Sequence, residues 1–497
     1  MSTVFRRLCA RKPIESVEKE LNSSEYKRQL TAFDLTMLGV GSIIGAGIFV
    51  LTGKAARENA GPAIMLSFMI SGLVCSLACL CYAELGSTLP VSGSAYSFTY
   101  SALGELLAWI VGWDLMLEYV VGSATVSVGW GVYLDIFIAG LMGKSRVFDP
   151  RYTSAPLVWH ESEDASGRPT GFYFNVVECL DGSQCQTFFN FPAFGIIAAI
   201  TVLLCCGMQE STRINSVLVA IKLAVCFIFI FAGIKFINPE NYTPFIPPAQ
   251  GHGKRPPTPQ RDLPIGIICS LVICTLMYVG VSAVLTGMVH YTAIDLSAPV
   301  SQALIDVGLP SLAIVISGGV ICGLGSMIIV ALIAQPRIFY SMAKDGLLPQ
   351  VFARIDGKSG IPYASTIGSG VLCALLAGLF PIDLLANLAS VGTLTAFFLV
   401  SVSTLVLRIT EPDLPRAFQI PGGFWIGGML IPFLSAAFSA ALFSQASVSS
   451  ISRVFIWMGL GLIIYALYGY HHSVVGKQMT KRMTLEEPIM LNVDFKA

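Results

Sequence analysis

Long apolar segments alternate with shorter polar stretches along almost the whole chain. A helix that spans a membrane needs about 20 mainly apolar residues. Eleven segments fit that pattern, at residues 33–51, 62–84, 104–125, 191–208, 214–237, 264–289, 310–334, 363–380, 385–407, 426–445 and 451–470. The third apolar run continues to residue 140 without a turn signal, so we expect one long, tilted helix there rather than a hairpin.

The first of these segments is rich in glycine. Residues 39–50 read GVGSIIGAGIFV, and Gly53 follows shortly after. Each glycine in a helix interior costs about 1 kcal/mol relative to alanine. Backbone that leaves the helix inside a bilayer is tolerated only where it is buried in protein or lines a cavity. We therefore expect a broken helix whose free N–H groups face a polar ligand. The alternative is that the glycines let another helix pack closely.

Composition places the chain among membrane proteins with many spans. Of its 497 residues 54% are hydrophobic and 12% charged, and the mean hydropathy is +0.73, whereas soluble domains carry about 25% charged residues. We expect one integral domain at 31–472, between cytoplasmic tails at 1–30 and 473–497. The formal net charge is zero, so nucleic acid is not an expected partner. The first 30 residues lack the apolar core of a signal peptide, which predicts an uncleaved signal-anchor.

Cysteine usage separates one pair from the rest. Most of the 13 cysteines lie in or beside apolar segments, where they are expected to act as small apolar side chains. Cys179 and Cys185 lie in a polar loop, and a disulfide between them is expected if the loop is extracytoplasmic. No spacing of cysteine or histidine predicts a metal site, and no catalytic signature or cofactor motif is visible, so an enzyme is disfavoured.

The distribution of lysine and arginine conflicts with a simple count of crossings. The basic N-terminal tail predicts a cytoplasmic start. Counting from there, the loop 143–190 and the glycosylation sequon at Asn241 fall outside. The same inter-span stretch continues to Arg261, which shares its side with the basic loops at 336–358 and 408–416. The two halves of the topology therefore disagree by one crossing, which lies between Tyr242 and Pro264.

Several motifs together resemble those of one transporter superfamily. They are GVGSIIGAGIFV at 39–50, YAELGSTLPVSGSAY at 82–96, GWDLMLEY at 112–119, PQRDLP at 259–264 and QPRIFYSMAKDGLLP at 335–349. In combination they resemble the amino acid–polyamine–organocation (APC) transporters, and within these the cationic amino acid transporter branch, over residues 30–470.

The resemblance implies an all-α fold of the LeuT type, in which two inverted five-helix repeats enclose the substrate and helices 1 and 6 are broken. In the family the PQRDLP-like loop follows helix 6. In this chain a polar, proline-rich stretch leads directly from Asn241 into that loop. The chain therefore looks like a family member that lacks helix 6, at the place where the charge distribution also requires a further crossing.

The family resemblance also implies where the substrate binds. Backbone N–H groups of Gly45, Ala46 and Gly47 are expected to hold an amino acid carboxylate, and carbonyls from Gly41 to Ile43 its ammonium. Glu118, one helical turn from Asp114, is an intramembrane carboxylate and a candidate for a cationic substrate side chain. The alternative for Glu118 is a structural pair, with Lys222 or with a backbone donor.

Lys222 lies in the middle of the fifth apolar segment, where a charged lysine costs at least about 2.5 kcal/mol. In proton-coupled relatives a lysine at this point of helix 5 replaces a bound ion, which implies that Lys222 exchanges a proton in each cycle. The alternative is a static hydrogen bond. Ser326 is carried over from the resemblance as a hydroxyl near Lys222.

These observations predict a secondary transporter for amino acids, first of all cationic ones, driven by protons through alternating access. The plasma membrane is the expected location, with vacuolar or endosomal membranes as the alternative. A second hypothesis is a transport-incompetent isoform or a regulatory membrane subunit, because half of the substrate site would be missing with helix 6.

Overall fold

The computed structural model describes residues 7–13, 32–89, 93–144, 146–160, 171–180, 182–206, 212–245, 263–356, 361–416 and 418–479. The described chain is mainly α-helical. Their bounds are α1 Ala32–Ile43, α2 Thr52–Ala55, α3 Ile64–Thr88, α4 Ala95–Ala102, α5 Glu105–Met142, α6 Phe191–Cys205, α7 Thr212–Gly233, α8 Leu263–Met288, α9 Pro299–Asp306, α10 Pro310–Lys344, α11 Tyr363–Leu379, α12 Ile382–Thr410, α13 Ile431–Ser444, α14 Val448–Ile464 and α15 Tyr470–His472.

Each of the eleven predicted spans has a helical counterpart. Within the described residues, eight helical runs are long and apolar enough to cross a membrane, and α6 and α11 are shorter apolar helices. The protein is therefore an all-helical membrane protein with many spans. The third span is a single helix of 38 residues, Glu105–Met142, which confirms one long helix in place of a hairpin.

The first span is broken, as its glycines predict. α1 ends at Ile43, and a helical segment resumes at Gly47 through a π-helical turn, Gly47–Leu51. Ile44 and Gly45 between them are not helical. The predicted end of this span at residue 51 is too early, because α2 and a second π-helical turn, Ala56–Ala60, continue the helical segment. Pro62 then opens the turn into α3, since it cannot extend the preceding hydrogen-bond ladder.

Helices α7 and α8 lie side by side and run parallel. Ile230 in α7 faces Gly280 in α8, and farther along, the N–H of Asn238 donates to the carbonyl of Gly287 at 2.9 Å. The hydroxyl of Tyr242 donates to the Ala283 carbonyl, also at 2.9 Å. Both helices therefore end at the same face.

The parallel arrangement of α7 and α8 agrees with the sequence analysis, in which the two halves of the topology disagree by one membrane crossing. The 26 residues of α8 span about 39 Å at 1.5 Å per residue, more than the roughly 30 Å of a hydrocarbon core. The chain thus leaves α7 at one face and enters α8 at the other. Residues 246–262, which contain most of the stretch where the sequence places the missing crossing and the first four residues of the PQRDLP motif, lie outside the described residues.

The loop after α5 forms two small antiparallel hairpins on the face opposite the N-terminus. Strand β1, Leu157–His160, pairs with β2, Gly171–Phe174, and β3, Val176–Glu178, pairs with β4, Gln184–Gln186. In this loop Cys179 and Cys185 form a disulfide with a Cα–Cα distance of 6.3 Å. Asp149 lies beside them, but a disulfide offers no thiolates, so this group is not a metal site.

On the face that holds residues 7–13, called the cytoplasmic face below because the basic tail predicts that side, a buried ion pair joins α3 to α12. Arg408 donates two hydrogen bonds to the carboxylate of Glu84, each 2.6 Å long, and the N–H of Ile420 adds a third at 2.9 Å. Both charged side chains are buried. Glu84 is therefore a buried anchor of this face.

Candidate functional site

The break in the first span exposes carbonyl groups that a continuous helix would have used internally. Lys222 from α7 reaches two of them: its Nζ atom lies 2.9 Å from the oxygen of Gly41 and 2.7 Å from that of Ile44. The lysine side chain is fully buried. Lys222 thus meets the end of α1 directly. The ion pairs of the described residues include none between Lys222 and Glu118, the alternative given for that carboxylate.

Tyr278 on α8 supports the break from a second direction. Its hydroxyl donates to the carbonyl of Ile43 at 3.1 Å. Two of the carbonyls expected to receive a substrate ammonium, those of Gly41 and Ile43, therefore already accept hydrogen bonds from the protein. The sequence did not indicate that Tyr278 binds the break, because a tyrosine in an apolar segment is most often a packing or interfacial residue.

The glycines of the break allow two side chains to approach the backbone closely. A Cβ atom at Gly45 would overlap the sulfur of Met327 on α10, and one at Gly47 would overlap the hydroxyl of Tyr278. Close helix packing, the alternative given for the glycines, is thus realised together with the break. In the described part of the chain, the hydrogen bonds outside the helices include none from the Gly45 N–H. Gly45 and Ala46 are both buried, so this N–H lies inside the protein.

The second half of the broken span is fixed by its own contacts. The hydroxyl of Thr52 donates to the Gly47 carbonyl at 2.8 Å, and that of Tyr133, from α5, donates to the Phe49 carbonyl at 2.6 Å. Both hydroxyls satisfy carbonyls in the irregular turn, and the tyrosine ties the second half of the span to α5. A π-helical turn of this kind is frequent at functional sites.

Ser326 lies one helical turn along α10 from Gly323, the residue that contacts the lysine. Its hydroxyl donates to the carbonyl of Gly323 in the same helix at 2.8 Å. A Cβ at Gly323 would lie 3.1 Å from the Cε atom of Lys222, so this glycine lets the lysine stem cross α10. The structure thus brings α10 to Lys222 through Gly323, with Ser326 next to that contact.

The two carboxylates of α5 have different surroundings. Asp114 is fully buried, and neither of its carboxylate oxygens has a hydrogen-bond partner among the described residues. Glu118 is half-buried and has the hydroxyl of Thr393, on α12, beside it. Their helix, α5, also carries Tyr133, which binds the second half of the broken span. Glu118 and the break therefore share one rigid support.

Asn241, the predicted glycosylation site, lies on the face away from the N-terminus. Its Nδ2 atom, which would carry a glycan, donates to the Gly287 carbonyl at 2.8 Å. The side chain is half-buried. Glycosylation at this position stays a prediction, and it would have to leave that contact in place or replace it.

The described chain is a helical membrane protein whose first span is broken and whose buried Lys222 binds carbonyls at the break. Comparison with known proteins agrees. The family model described as amino acid permease matches residues 30–258 and 251–468. The chain belongs to this amino acid permease family, within the APC superfamily, and is a transporter by descent rather than an enzyme.

The curated relatives extend over nearly the whole chain. The methylthioribose transporter of Bacillus subtilis (strain 168) is 37% identical over 499 aligned positions, which cover 96% of this chain and 100% of that protein. The branched-chain amino acid permease BcaP of the same organism is 39% identical over 493 positions, covering 95% and 98%. The vacuolar cationic amino acid transporter 4 of Arabidopsis thaliana is 34% identical, covering 82% and 68%.

Proposed function

We propose that this chain carries cationic amino acids across a membrane by alternating access, with protons as the coupling ion. The observation that carries the proposal is the contact between Lys222 and the broken span. One side chain that can bind or release a proton holds two carbonyls, of Gly41 and Ile44, at the point where a substrate would dock. A change of its charge would change those bonds, and with them the position of α1.

The break supplies one half of a zwitterion site. The N–H of Gly45, together with those of Ala46 and Gly47, is proposed to hold the substrate carboxylate, because a half-helix N-terminus attracts anions. The substrate ammonium would share carbonyl oxygens around Ile43 with the groups already bound there, since each oxygen has two lone pairs. Glu118 is proposed to attract a cationic side chain.

The relatives do not agree on one substrate, and their names range from cationic and branched-chain amino acids to methylthioribose. The preference for cationic substrates therefore depends on Glu118, which offers a carboxylate in place of an apolar wall. We propose the plasma membrane as the location, with a vacuolar or endosomal membrane as the alternative.

The test is uptake into proteoliposomes that contain the full chain. We expect labelled arginine to accumulate when the interior is alkaline, and unlabelled lysine to compete better than isoleucine or methylthioribose. Accumulation that does not depend on the pH gradient would contradict proton coupling. Competition by isoleucine or methylthioribose alone would contradict the cationic preference. Liposomes without protein are the control.

A second function is favoured by the parallel course of α7 and α8. The alignment with the methylthioribose transporter has 499 positions but includes about 477 residues of this chain, 96% of 497. About 22 positions of the relative thus face no residue here, and their places along the chain are not fixed by this count. The parallel course of α7 and α8 is what supports a chain without helix 6, which would be a transport-incompetent isoform or a regulatory subunit. Folded protein with no uptake of any of these substrates is the result expected in that case.

A further inference from the structure

The N-terminal segment 7–12, here called the strap, is bound to the cytoplasmic face of the helices. Its backbone makes two hydrogen bonds with the turn between α4 and α5. The N–H of Lys12 donates to the Tyr100 carbonyl at 3.3 Å, and the N–H of Glu105 donates to the Ala10 carbonyl at 3.0 Å. Ala10 and Lys12 are both buried.

A buried ion pair joins the strap to the end of α10. The Nζ atom of Lys12 lies 2.7 Å from Oδ1 of Asp345, and the hydroxyl of Tyr96 donates to Oδ2, also at 2.7 Å. Only 8% of Lys12 and 6% of Asp345 is exposed. Asp345 is the C-cap residue of α10, where the helix dipole already places negative charge. A carboxylate that is both buried and at a helix C-terminus needs a cation, and the strap supplies one.

The other end of the strap is held by the C-terminal part of the chain. The guanidinium of Arg7 donates to the carbonyl of Tyr470 and lies over the ring of that tyrosine, 4.1 Å from its centre. Beneath the strap, Glu105 accepts from the hydroxyl of Tyr465 at 2.8 Å. The strap thus touches α4, the start of α5, the end of α10 and α15 at once.

The turn between α4 and α5 is shaped to receive the strap. Gly104 has a φ of +100°, which favours glycine, and a Cβ atom there would lie 2.7 Å from the main-chain carbon of Cys9. A side chain at this position would displace the strap backbone. The local sequence around Gly104 therefore both permits the turn and leaves the space for the strap.

We propose that the strap is a positioning device for transport: Lys12, through Asp345, holds the cytoplasmic ends of α5 and α10 in register. Helix α5 carries Tyr133, which binds the Phe49 carbonyl of the broken span, and α10 carries Met327, which packs against Gly45. A shift at the cytoplasmic ends of these two helices would therefore reach the candidate site. The effect on transport depends on the proposed carrier function. The docking of the strap does not depend on it and is tested by itself.

The docking test is hydrogen–deuterium exchange, read by mass spectrometry on the full chain in detergent or nanodiscs. In Lys12→Met we expect the amides of Lys12 and Glu105, read in peptides that cover 7–13 and 99–105, to exchange at least about tenfold faster, because their hydrogen bonds open with the strap. Arg11→Met is the matched control. Arg11 is an exposed cation of the same strap, and among the described residues its side chain contacts the Thr410 hydroxyl at 3.3 Å.

A charge exchange separates the ion pair from other effects of the substitution. Lys12→Asp combined with Asp345→Lys restores opposite charges, and we expect slow exchange to return in the double variant although each single variant loses it. Thermal unfolding shows whether each variant is folded. Unchanged amide exchange in folded Lys12→Met would contradict the proposal that Lys12 holds the strap in place, whatever the transport assay shows.

The transport readout follows in the same variants. A positioning role predicts a lower maximal uptake rate with little change in KM for Lys12→Met, and recovery in Lys12→Arg, which keeps the charge. Fast amide exchange together with unaltered uptake kinetics would leave the strap as an anchor of the fold and overturn its role in transport. If no form of the protein transports, the exchange data still decide docking.

Discussion

The ammonium of Lys222 lies 2.7 Å from the carbonyl oxygen of Ile44, so a side chain of α7 completes the backbone hydrogen bonding of the broken first span. In hydrocarbon an unpaired carbonyl is costly, which is why irregular backbone persists there only with such partners. The same contact makes the break and the lysine interdependent. Several consequences of this and of neighbouring contacts can be measured.

Replacing Lys222 by methionine removes the donor while keeping most of the side-chain volume. We expect proton-driven uptake to fall to background and the free energy of unfolding to drop by about 1–3 kcal/mol for each buried carbonyl left without a donor. Uptake with imposed pH gradients and denaturant unfolding measure the two effects. Lys235→Met, an exposed lysine beyond the end of α7, is the control. Undiminished pH-driven uptake in Lys222→Met would remove the coupling role.

Gly47 and Tyr278 form a pair suited to a double-mutant cycle. Gly47→Ala places a methyl group on the tyrosine hydroxyl, and overpacking of this kind costs about 1–3 kcal/mol. Tyr278→Phe removes the hydroxyl, so we expect the alanine to be tolerated better in that background. Thermal unfolding and substrate affinity are the measurements. Gly122→Ala is the control, because nothing lies within 4 Å of a Cβ atom there. Purely additive losses would show that the two positions do not meet.

The Glu84–Arg408 pair predicts a large loss of stability on the cytoplasmic face. Arg408→Met leaves a buried carboxylate without its bidentate partner, and we expect the loss to be about 3–5 kcal/mol. The matched control is Lys54→Met, which removes the partner of Asp383 at 2.7 Å; this pair is substantially exposed and should contribute no more than about 1 kcal/mol. Equal losses in the two variants would argue against the buried pair.

The parallel course of α7 and α8 predicts the sides of the loops. A cysteine introduced at Glu240 should react with an impermeant maleimide from outside intact cells. A cysteine at Pro264, next to the start of α8, should react only after the cytoplasmic face is opened. Labelling of both sites from the same side would show that α7 and α8 are antiparallel in the membrane, in conflict with the structure. A cysteine at Lys344 marks the cytoplasmic side, and the background is a variant without reactive native cysteines.

The sequence by itself determined the apolar spans, the broken first span and the conflict of sides between Tyr242 and Pro264. These are properties of composition and local backbone preference, because twenty apolar residues span a bilayer and clustered glycines weaken a helix wherever they stand. The sequence also singled out Lys222, because a charged lysine near the middle of an apolar span has an energetic cost whatever its partner is.

Only the tertiary structure decided which groups meet. That Lys222 binds Gly41 and Ile44 rather than Glu118, that Tyr278 binds Ile43, and that Lys12 neutralises Asp345 depend on helices far apart in sequence. Directional bonds of this kind are fixed by how helices pack, and a hydropathy pattern carries no information about the partner of a polar side chain.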